Sequence, residues 1–148
     1  MLWLLRHAQA ADGFPDEARP LTELGIAQAE AAGRALGRLG VSLDVCLTSP
    51  KRRAVETAKL ACASLGVEVT VEPALAGESF DAEALAAGLD EVMLVGHDPS
   101  MSMALSELTG ARARMRKGGL AAIKKRELVT LMRPAELAAI AGAAEVPA

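Results

Sequence analysis

The stretch Leu2-Trp3-Leu4-Leu5-Arg6-His7-Ala8-Gln9 begins as an apolar run and ends in a guanidinium and an imidazole side by side. A short apolar run of this kind predicts a β-strand that is buried on both faces. Ligands of open α/β sheets lie just beyond the carboxyl ends of such strands. We therefore expect Arg6 to bind an anion and His7 to act as a nucleophile or base. The alternative is a strand that ends in ordinary surface residues, and a second histidine later in the chain favours the ligand site.

The length of the chain predicts a single domain over residues 1–148. This length fits one domain with a sizeable buried core. Half of the chain is apolar (51%), yet only 2% is aromatic, so the core must consist of leucine, valine, alanine and methionine. The formal net charge of −3 argues against general nucleic-acid binding, although a local basic pocket for a small anion is compatible with it.

The cysteines and the hydropathy pattern bear on the compartment. Cys46 and Cys62 match no metal or redox spacing, so we expect two buried thiols in a reducing compartment. No signal-peptide pattern precedes the first strand, and no apolar run is long enough to span a bilayer. The sequence thus predicts a cytoplasmic protein without membrane contact.

Predicted strands and helices alternate along the chain. The predicted strands cover 1–6, 43–48, 67–71, 91–96, 118–123 and 128–132, and the predicted helices cover 23–39, 51–65, 81–89, 99–108 and 134–141. This alternation predicts a three-layer α/β/α sandwich with a mostly parallel central sheet.

Four side-chain oxygens are placed to cap predicted helices at their N-termini. Thr22 and Asp98 directly precede predicted helices, Ser49 precedes one with Pro50 between, and Asp81 stands at the start of one. Gly25 lies in the first turn of the first helix and lowers its helix propensity, so we expect a close approach to neighbouring backbone there.

Polar groups of one kind follow three of the predicted strands. They are Arg6 with His7, Ser49 with the pair Arg52 and Arg53, and Gly96 with His97. If the strands are parallel, these groups meet at one edge of the sheet. Guanidinium groups and helix N-termini both bind phosphate oxygens, so the set suits a phosphoryl group.

The same set can carry phosphoryl transfer. A neutral imidazole can attack phosphorus and form a covalent phosphoramidate. A second, protonated imidazole can stabilise the charge on the equatorial oxygens. Such chemistry depends mostly on positioning and electrostatics, and two histidines without a carboxylate pair make a poor metal site. We therefore expect neither a metal nor another cofactor.

Residues 111–117 form a basic run with Arg112, Arg114, Arg116 and Lys117. A solvated loop is the simpler interpretation of this run. A docking patch for an acidic partner is the alternative.

Four motifs resemble those of the histidine phosphatase superfamily. Leu5-Arg6-His7-Ala8 resembles its RHG motif. Three further stretches are similar in the family's order: Arg19-Pro20-Leu21-Thr22-Glu23-Leu24-Gly25 with Gln28-Ala29, Thr48-Ser49-Pro50-Lys51-Arg52-Arg53-Ala54-Val55-Glu56-Thr57-Ala58, and Leu94-Val95-Gly96-His97-Asp98-Pro99. The short chain and the R-P-L-T stretch are most similar to the SixA-type phosphohistidine phosphatases.

The resemblance implies a phosphoglycerate mutase-like fold and a role for each matching residue. His7 would be the nucleophile that becomes transiently phosphorylated, with the phosphate pocket completed by Arg6, Arg53 and His97. Arg19 would add a further phosphate contact, and Arg52, one position from the matching site, should face elsewhere.

Two positions depart from the family pattern. Ala8 replaces the usual glycine, which is tolerable unless the position requires a positive φ. Larger family members carry an acidic general acid, for which Glu78, in the loop 72–80, is the candidate here. SixA-type proteins look as if they do without a clear general acid. A physical reason is that a protonated imidazole leaves phosphorus more readily than an alcohol does.

The sequence therefore predicts a metal-independent phosphatase that acts through a phosphohistidine intermediate on His7. The expected substrate is a phosphorylated protein, such as a histidine-phosphotransfer domain. One alternative is a phosphomonoesterase for a small phosphorylated metabolite. Another is a non-catalytic module that binds a phospho-ligand. In each case we expect the pocket to accept a phosphate or sulfate anion.

Overall fold

A six-stranded sheet lies at the centre of the protein, as seen in a computed structural model that describes residues 1–142. Its strands are β1 (Leu2–Arg6), β2 (Val45–Thr48), β3 (Val69–Val71), β4 (Val92–Gly96), β5 (Leu120–Lys124) and β6 (Glu127–Met132). Their order across the sheet is β3-β2-β4-β1-β5-β6. The strands β3, β2, β4 and β1 are parallel, and β5 is antiparallel to both of its neighbours. The predicted mostly parallel sheet is confirmed.

Helices cover both faces of this sheet. They are α1 (Glu23–Arg38), α2 (Arg52–Cys62), α3 (Ala82–Ala86), α4 (Ser100–Thr109) and α5 (Pro134–Ala141), with short 3₁₀ turns at Asp16–Ala18 and Pro73–Ala76. One core cluster joins the sheet to α1, α2 and α5, and the other joins it to α3, α4 and the second 3₁₀ turn. The three-layer α/β/α architecture is therefore confirmed.

The side chains of β1 show why this strand is central. Trp3 and Leu5 point into the core on the α1 side, whereas Leu4 points into the core on the α4 side. All three are buried, and the strand pairs with β4 on one side and β5 on the other. Because successive side chains of a strand alternate between faces, only an uninterrupted apolar run can fill both cores.

The predicted N-caps of α1 and α3 are confirmed. Thr22 Oγ1 accepts a hydrogen bond from Gly25 N at 3.0 Å, and Asp81 Oδ1 accepts one from Ala84 N at 3.0 Å. Gly25 also makes the expected close approach, since a Cβ atom there would lie 2.0 Å from the carbonyl oxygen of Gln9. Any side chain at this position would have to displace the backbone that follows β1.

The prediction that Ser49 caps the second helix is wrong. The helix α2 begins at Arg52, and its N-cap is Lys51, whose side chain makes no capping hydrogen bond. At the start of α4 the N-cap is Pro99, but Asp98 Oδ1 still accepts a hydrogen bond from Ser102 N at 3.0 Å. Ser49 is instead directed towards the histidines, as described below.

The two cysteines are buried free thiols, as predicted. Cys46 lies on β2 and Cys62 ends α2. The hydrogen bond that the Cys46 thiol donates to the neighbouring Cys62, together with burial, raises the pKa of the Cys46 thiol. Within residues 1–142, no helix combines the length and the apolar character needed to cross a bilayer.

Candidate active site

The two histidines lie side by side at the carboxyl ends of adjacent strands. β1 and β4 pair in parallel with Arg6 opposite Gly96, and His7 N donates a hydrogen bond to Gly96 O at 2.9 Å. The centroids of the His7 and His97 rings are 5.1 Å apart, and their planes are inclined by 52°. Two rings at this separation can contact one tetrahedral oxyanion between or beside them.

A backbone contact sets the tautomer of His7. Its Nδ1 lies 2.7 Å from the carbonyl oxygen of Ala8. Because a carbonyl can only accept, Nδ1 carries the proton, and the lone pair of Nε2 is left to act as a nucleophile. The backbone of Ala8 is itself held, since its N–H donates to Thr57 Oγ1 at 3.0 Å and this hydroxyl donates to Arg53 O at 2.7 Å. The nucleophile is thus tied to α2 through Thr57.

The alanine in place of the motif's glycine causes no backbone strain. Among residues 1–142, the only non-glycine residues with positive φ are Lys125 and Arg126. Ala8 therefore has an ordinary φ, and its side chain is fully buried against Leu21 and Ala29.

His97 is positioned by a residue whose role the sequence analysis missed. His97 Nε2 lies 2.7 Å from Ser49 Oγ, which also accepts a hydrogen bond from Lys51 N at 3.2 Å. The Ser49 hydroxyl proton can therefore be directed at Nε2, which places the ring proton of neutral His97 on Nδ1. This Nδ1 is buried and has no hydrogen-bond partner among the described residues. The available signal was the place of Ser49 directly after β2, at the same sheet edge as both histidines.

Both imidazoles are neutral at pH 7. Burial is the main cause, and nearby positive charge adds to it, so that the pKa of His7 falls to about 4 and that of His97 to about 3. The expected nucleophile is thereby in its reactive form. The neutral state of His97 differs from the expected protonated second imidazole, because burial disfavours the charged form. Negative charge in the pocket, such as that of a phosphoryl dianion, would raise the pKa of His97.

These pKa values predict a pH dependence that can be measured directly, since the chain has only two histidines. Their imidazole C–H resonances should show no titration between about pH 5.5 and 8. As the pH falls below about 6.5, the histidines of the unfolded chain take up protons and those of the folded protein do not. The free energy of unfolding should therefore fall by several kcal/mol between about pH 7 and pH 4. A titration midpoint near the ordinary histidine value in the folded protein would contradict this prediction.

The two arginines have partly unsatisfied guanidinium groups. Arg6 Nη1 donates to Met115 O at 2.8 Å and lies 3.7 Å from Asp98 Oδ2. Arg53 is 7% exposed, and its Nη1 donates to Asp16 O at 2.9 Å. The Nε atoms of both arginines are buried and, within residues 1–142, have no hydrogen-bond partner. A buried N–H without a partner is costly, and an oxyanion at this edge would satisfy such groups.

Asp16 is a second residue that the sequence analysis missed. Its carboxylate lies 3.2 Å from Arg53 Nη2, 3.5 Å from Lys51 Nζ and 3.1 Å from Arg19 Nη1. The hydrogen bond from Arg19, together with those from Arg53 and the charge of Lys51, lowers the pKa of Asp16 to about 2. A negative charge therefore already engages one side of the Arg53 guanidinium. Asp16 lies in a stretch predicted as a loop. Only its position three residues before Arg19 could have indicated that it pairs with an arginine.

We expect the Asp16→Asn substitution to strengthen oxyanion binding by roughly three- to tenfold, because it removes a carboxylate that competes for Arg53. Binding of tungstate or phosphate can be measured by titration calorimetry. The control is Glu17→Gln, which changes the net charge equally at an exposed neighbouring position with no ion pair within residues 1–142. Weaker binding by the Asp16→Asn protein would instead mean that the carboxylate holds Arg53 in place for the anion.

The remaining predicted site residues lie further out. Arg19 Nε donates to Ala11 O at 2.8 Å and its Nη1 pairs with Asp16, so its contacts belong to the loop before α1. Glu78 is exposed between the second 3₁₀ turn and α3, and within residues 1–142 it makes no side-chain hydrogen bond or ion pair. Arg52 faces elsewhere, as predicted: it is 57% exposed and lies 3.3 Å from Glu56.

Comparisons with known proteins agree with this geometry. The family model of the histidine phosphatase superfamily (branch 1) matches residues 2–84, which is more than half of the chain. A 2,3-bisphosphoglycerate-dependent phosphoglycerate mutase of Methylobacterium sp. (strain 4-46) is 42% identical over 73 residues, which are 45% of this chain and 34% of the mutase. The chain thus matches only about a third of that relative's length.

Solved structures cover the chain more fully. A protein assigned as the phosphohistidine phosphatase SixA from Agrobacterium tumefaciens superposes with a TM-score of 0.82 at 26% identity, covering 90% of this chain and 97% of that one. The protein histidine phosphatase SixA complexed with tungstate has the same fold, with a TM-score of 0.79 at 22% identity and coverage of 92% and 98%. From its sequence motifs, its fold and its matched family model, the chain belongs to the histidine phosphatase superfamily.

Proposed function

We propose that this protein is a metal-independent phosphatase that removes the phosphoryl group from phosphohistidine on a protein, through a covalent intermediate on His7. The observation that carries the proposal is the state of His7: its Nδ1–H is tied to Ala8 O at 2.7 Å, and Nε2 is free, in a ring that is neutral at pH 7. An imidazole held in this way is a nucleophile and not a proton donor.

In the first step, the Nε2 lone pair of His7 attacks phosphorus as the bond from phosphorus to the substrate imidazole breaks. The electron pair of that bond stays on the substrate nitrogen. The other nitrogen of the substrate ring already carries a proton taken from solvent, so the group leaves as neutral imidazole. Arg6 and Arg53 would bind the equatorial oxygens, and His97 would donate from Nδ1. In the second step, water attacks phosphorus and the electron pair of the phosphorus–nitrogen bond returns to Nε2 of His7. The protons of the water stay on the product, which departs as dihydrogen phosphate.

The leaving group determines whether the reaction needs a general acid. Imidazole leaves readily once its ring is protonated, whereas an alkoxide needs a proton from the enzyme as the bond breaks. Glu78, the candidate acid, is exposed and makes no side-chain hydrogen bond within residues 1–142. This arrangement favours a phosphoramidate substrate over a phosphate monoester.

The likeness to phosphohistidine phosphatases supports the same substrate class. The protein from Agrobacterium tumefaciens carries that description and aligns with 90% of this chain. The tungstate complex of SixA shows that this fold accepts a tetrahedral oxyanion. We therefore expect a phosphorylated protein as partner, for which a histidine-phosphotransfer domain is the leading candidate.

The test is a brief exposure to a protein labelled with ³²P on histidine, followed by denaturation. We expect a label on this protein that is lost in acid and retained in base, and release of inorganic phosphate on longer incubation. A panel with a phosphohistidine peptide, a sugar phosphate and an aryl phosphate then separates the substrate classes. Turnover of the esters alone would identify a small-molecule phosphomonoesterase. Bound phosphate without label or turnover would identify a binding module.

A further inference from the structure

The basic run after α4 folds back over the end of β1. Met115, in the middle of this run, is fully buried, and its N–H donates to Ser102 Oγ at 2.9 Å. Its carbonyl oxygen accepts the hydrogen bond from Arg6 at 2.8 Å. Gly118 N lies 3.1 Å from Arg6 O and 3.0 Å from His7 O. The run is therefore fixed against the strand that carries the nucleophile.

A tight turn orients the cations of this run. Gly119 N donates to Arg116 O at 2.8 Å, and Gly118 has a φ of +75°, which favours glycine. A Cβ atom on Gly118 would lie only 3.2 Å from the side chain of Gln28, which is buried and accepts a hydrogen bond from Gln9 N at 2.9 Å. The floor beneath the turn is thus closely packed, and the charged side chains are directed outwards.

These elements form an open cavity of about 300 Å³, here called the basic cleft. Besides Leu24, its lining residues are polar: Arg6, Gln9, Gln28, Arg114, Arg116 and Lys117. Among residues 1–142, no carboxylate lines it. Arg114, Arg116 and Lys117 are exposed, and none of the three has a carboxylate within 4.0 Å among the described residues, whereas Arg6 and Arg53 both do. The cleft is a local excess of positive charge on a protein with a net charge of −3.

The basic cleft is continuous with the candidate active site. Arg6 belongs to both, because it ends β1 directly before His7 and also lines the cleft. Burial is the main cause of the lowered pKa values of His7 and Arg6. The charge of Lys117 adds a smaller lowering at His7, and the charge of Arg114 adds one at Arg6. A ligand whose phosphoryl group reaches His7 would therefore extend towards the cleft that Arg116 and Lys117 line.

We propose that the basic cleft binds acidic side chains of the phosphoprotein that flank its phosphohistidine. This proposal rests on the proposed function. The cations of the cleft are exposed, whereas a pocket that encloses a small molecule would bury the cations that bind it. The open surface therefore favours a protein as the occupant. Each exposed pair contributes little by itself, so the cleft acts through several contacts and through steering of the approaching partner.

The test uses two phosphohistidine peptides that differ only in aspartates or asparagines beside the phosphohistidine. We expect kcat/KM of the wild-type protein to be about tenfold higher for the acidic peptide, as two or three exposed ion pairs allow. This ratio should fall to roughly twofold in the double variant Arg116→Gln, Lys117→Gln. It should also fall as sodium chloride is added to the wild-type protein, because salt screens exposed charges.

The matched control is the double variant Lys59→Gln, Lys124→Gln. Both lysines are exposed, form no ion pair within residues 1–142, and lie outside the cleft. The change in net charge is the same, and we expect the control to keep the tenfold preference. Equal rates for the two peptides with the wild-type protein, or a preference that survives in the cleft variant, would overturn this proposal alone. Hydrolysis of neither peptide would overturn the proposed function with it.

Discussion

The His7→Ala protein is expected to have lost turnover by a factor of at least about 10⁴ and to form no acid-labile label, because among residues 1–142 no other nucleophilic side chain directly follows β1. It should still bind tungstate or phosphate, since Arg6, Arg53 and His97 remain. It should also stay folded, because the buried ring that is removed makes a single hydrogen bond within residues 1–142, to Ala8 O. Label incorporation, steady-state rates and thermal unfolding check the three parts of this expectation.

His97→Asn is the variant that distinguishes the nucleophile from the stabilising imidazole. We expect it to slow turnover by roughly 10²- to 10³-fold, as the loss of one oxyanion donor does, while label still accumulates on His7. If label persisted in His7→Ala and vanished in His97→Asn, the two roles would have to be exchanged. Loss of folding on replacement of His7 would instead indicate a structural histidine.

The second large effect is expected for Arg53 and can be compared with its neighbour in the chain. Arg53→Ala should lower kcat/KM by about 10²-fold or more, because the side chain is 7% exposed and has a buried Nε with no partner within residues 1–142. Arg52→Ala removes the same charge one residue away, where the side chain is 57% exposed and paired with Glu56. We expect less than a twofold change there.

The Arg53→Ala and Arg52→Ala variants lose the same charge, so a difference between them reports the position of the side chain. Steady-state kinetics and tungstate affinity of the two variants should diverge in parallel, while their unfolding midpoints differ little. Equal losses in both variants would mean that the motif at residues 48–58 supplies long-range positive charge and not direct contact. Each variant should be measured at more than one salt concentration, since the contribution of Arg52 would then fade while that of Arg53 persists.

Much of the architecture was predictable because it depends on local patterns. The apolar run ending in Arg6 and His7 can be buried on both faces only as a central strand, and alternation of strands with helices leads to a parallel sheet. Once the strands are parallel, the placement of His7 and His97 at one edge follows from chain direction alone. Thr22 and Asp81 were predictable as caps because a cap involves residues only three positions apart.

The contacts that tune the site were not predictable, because they join residues distant in the chain and depend on the packing of whole elements. The local sequence around Ser49 predicts a helix cap. The register of β2 against β4 instead places Ser49 Oγ 2.7 Å from Nε2 of His97, 48 residues away. Asp16 reaches Arg53 across 37 residues, and the burial that holds both imidazoles neutral exists only once helices cover the sheet. The sequence by itself determined which groups meet at the sheet edge; the tertiary structure decided their protonation, their hydrogen bonds and the direction in which the basic run faces, because desolvation and long-range contacts arise only on folding.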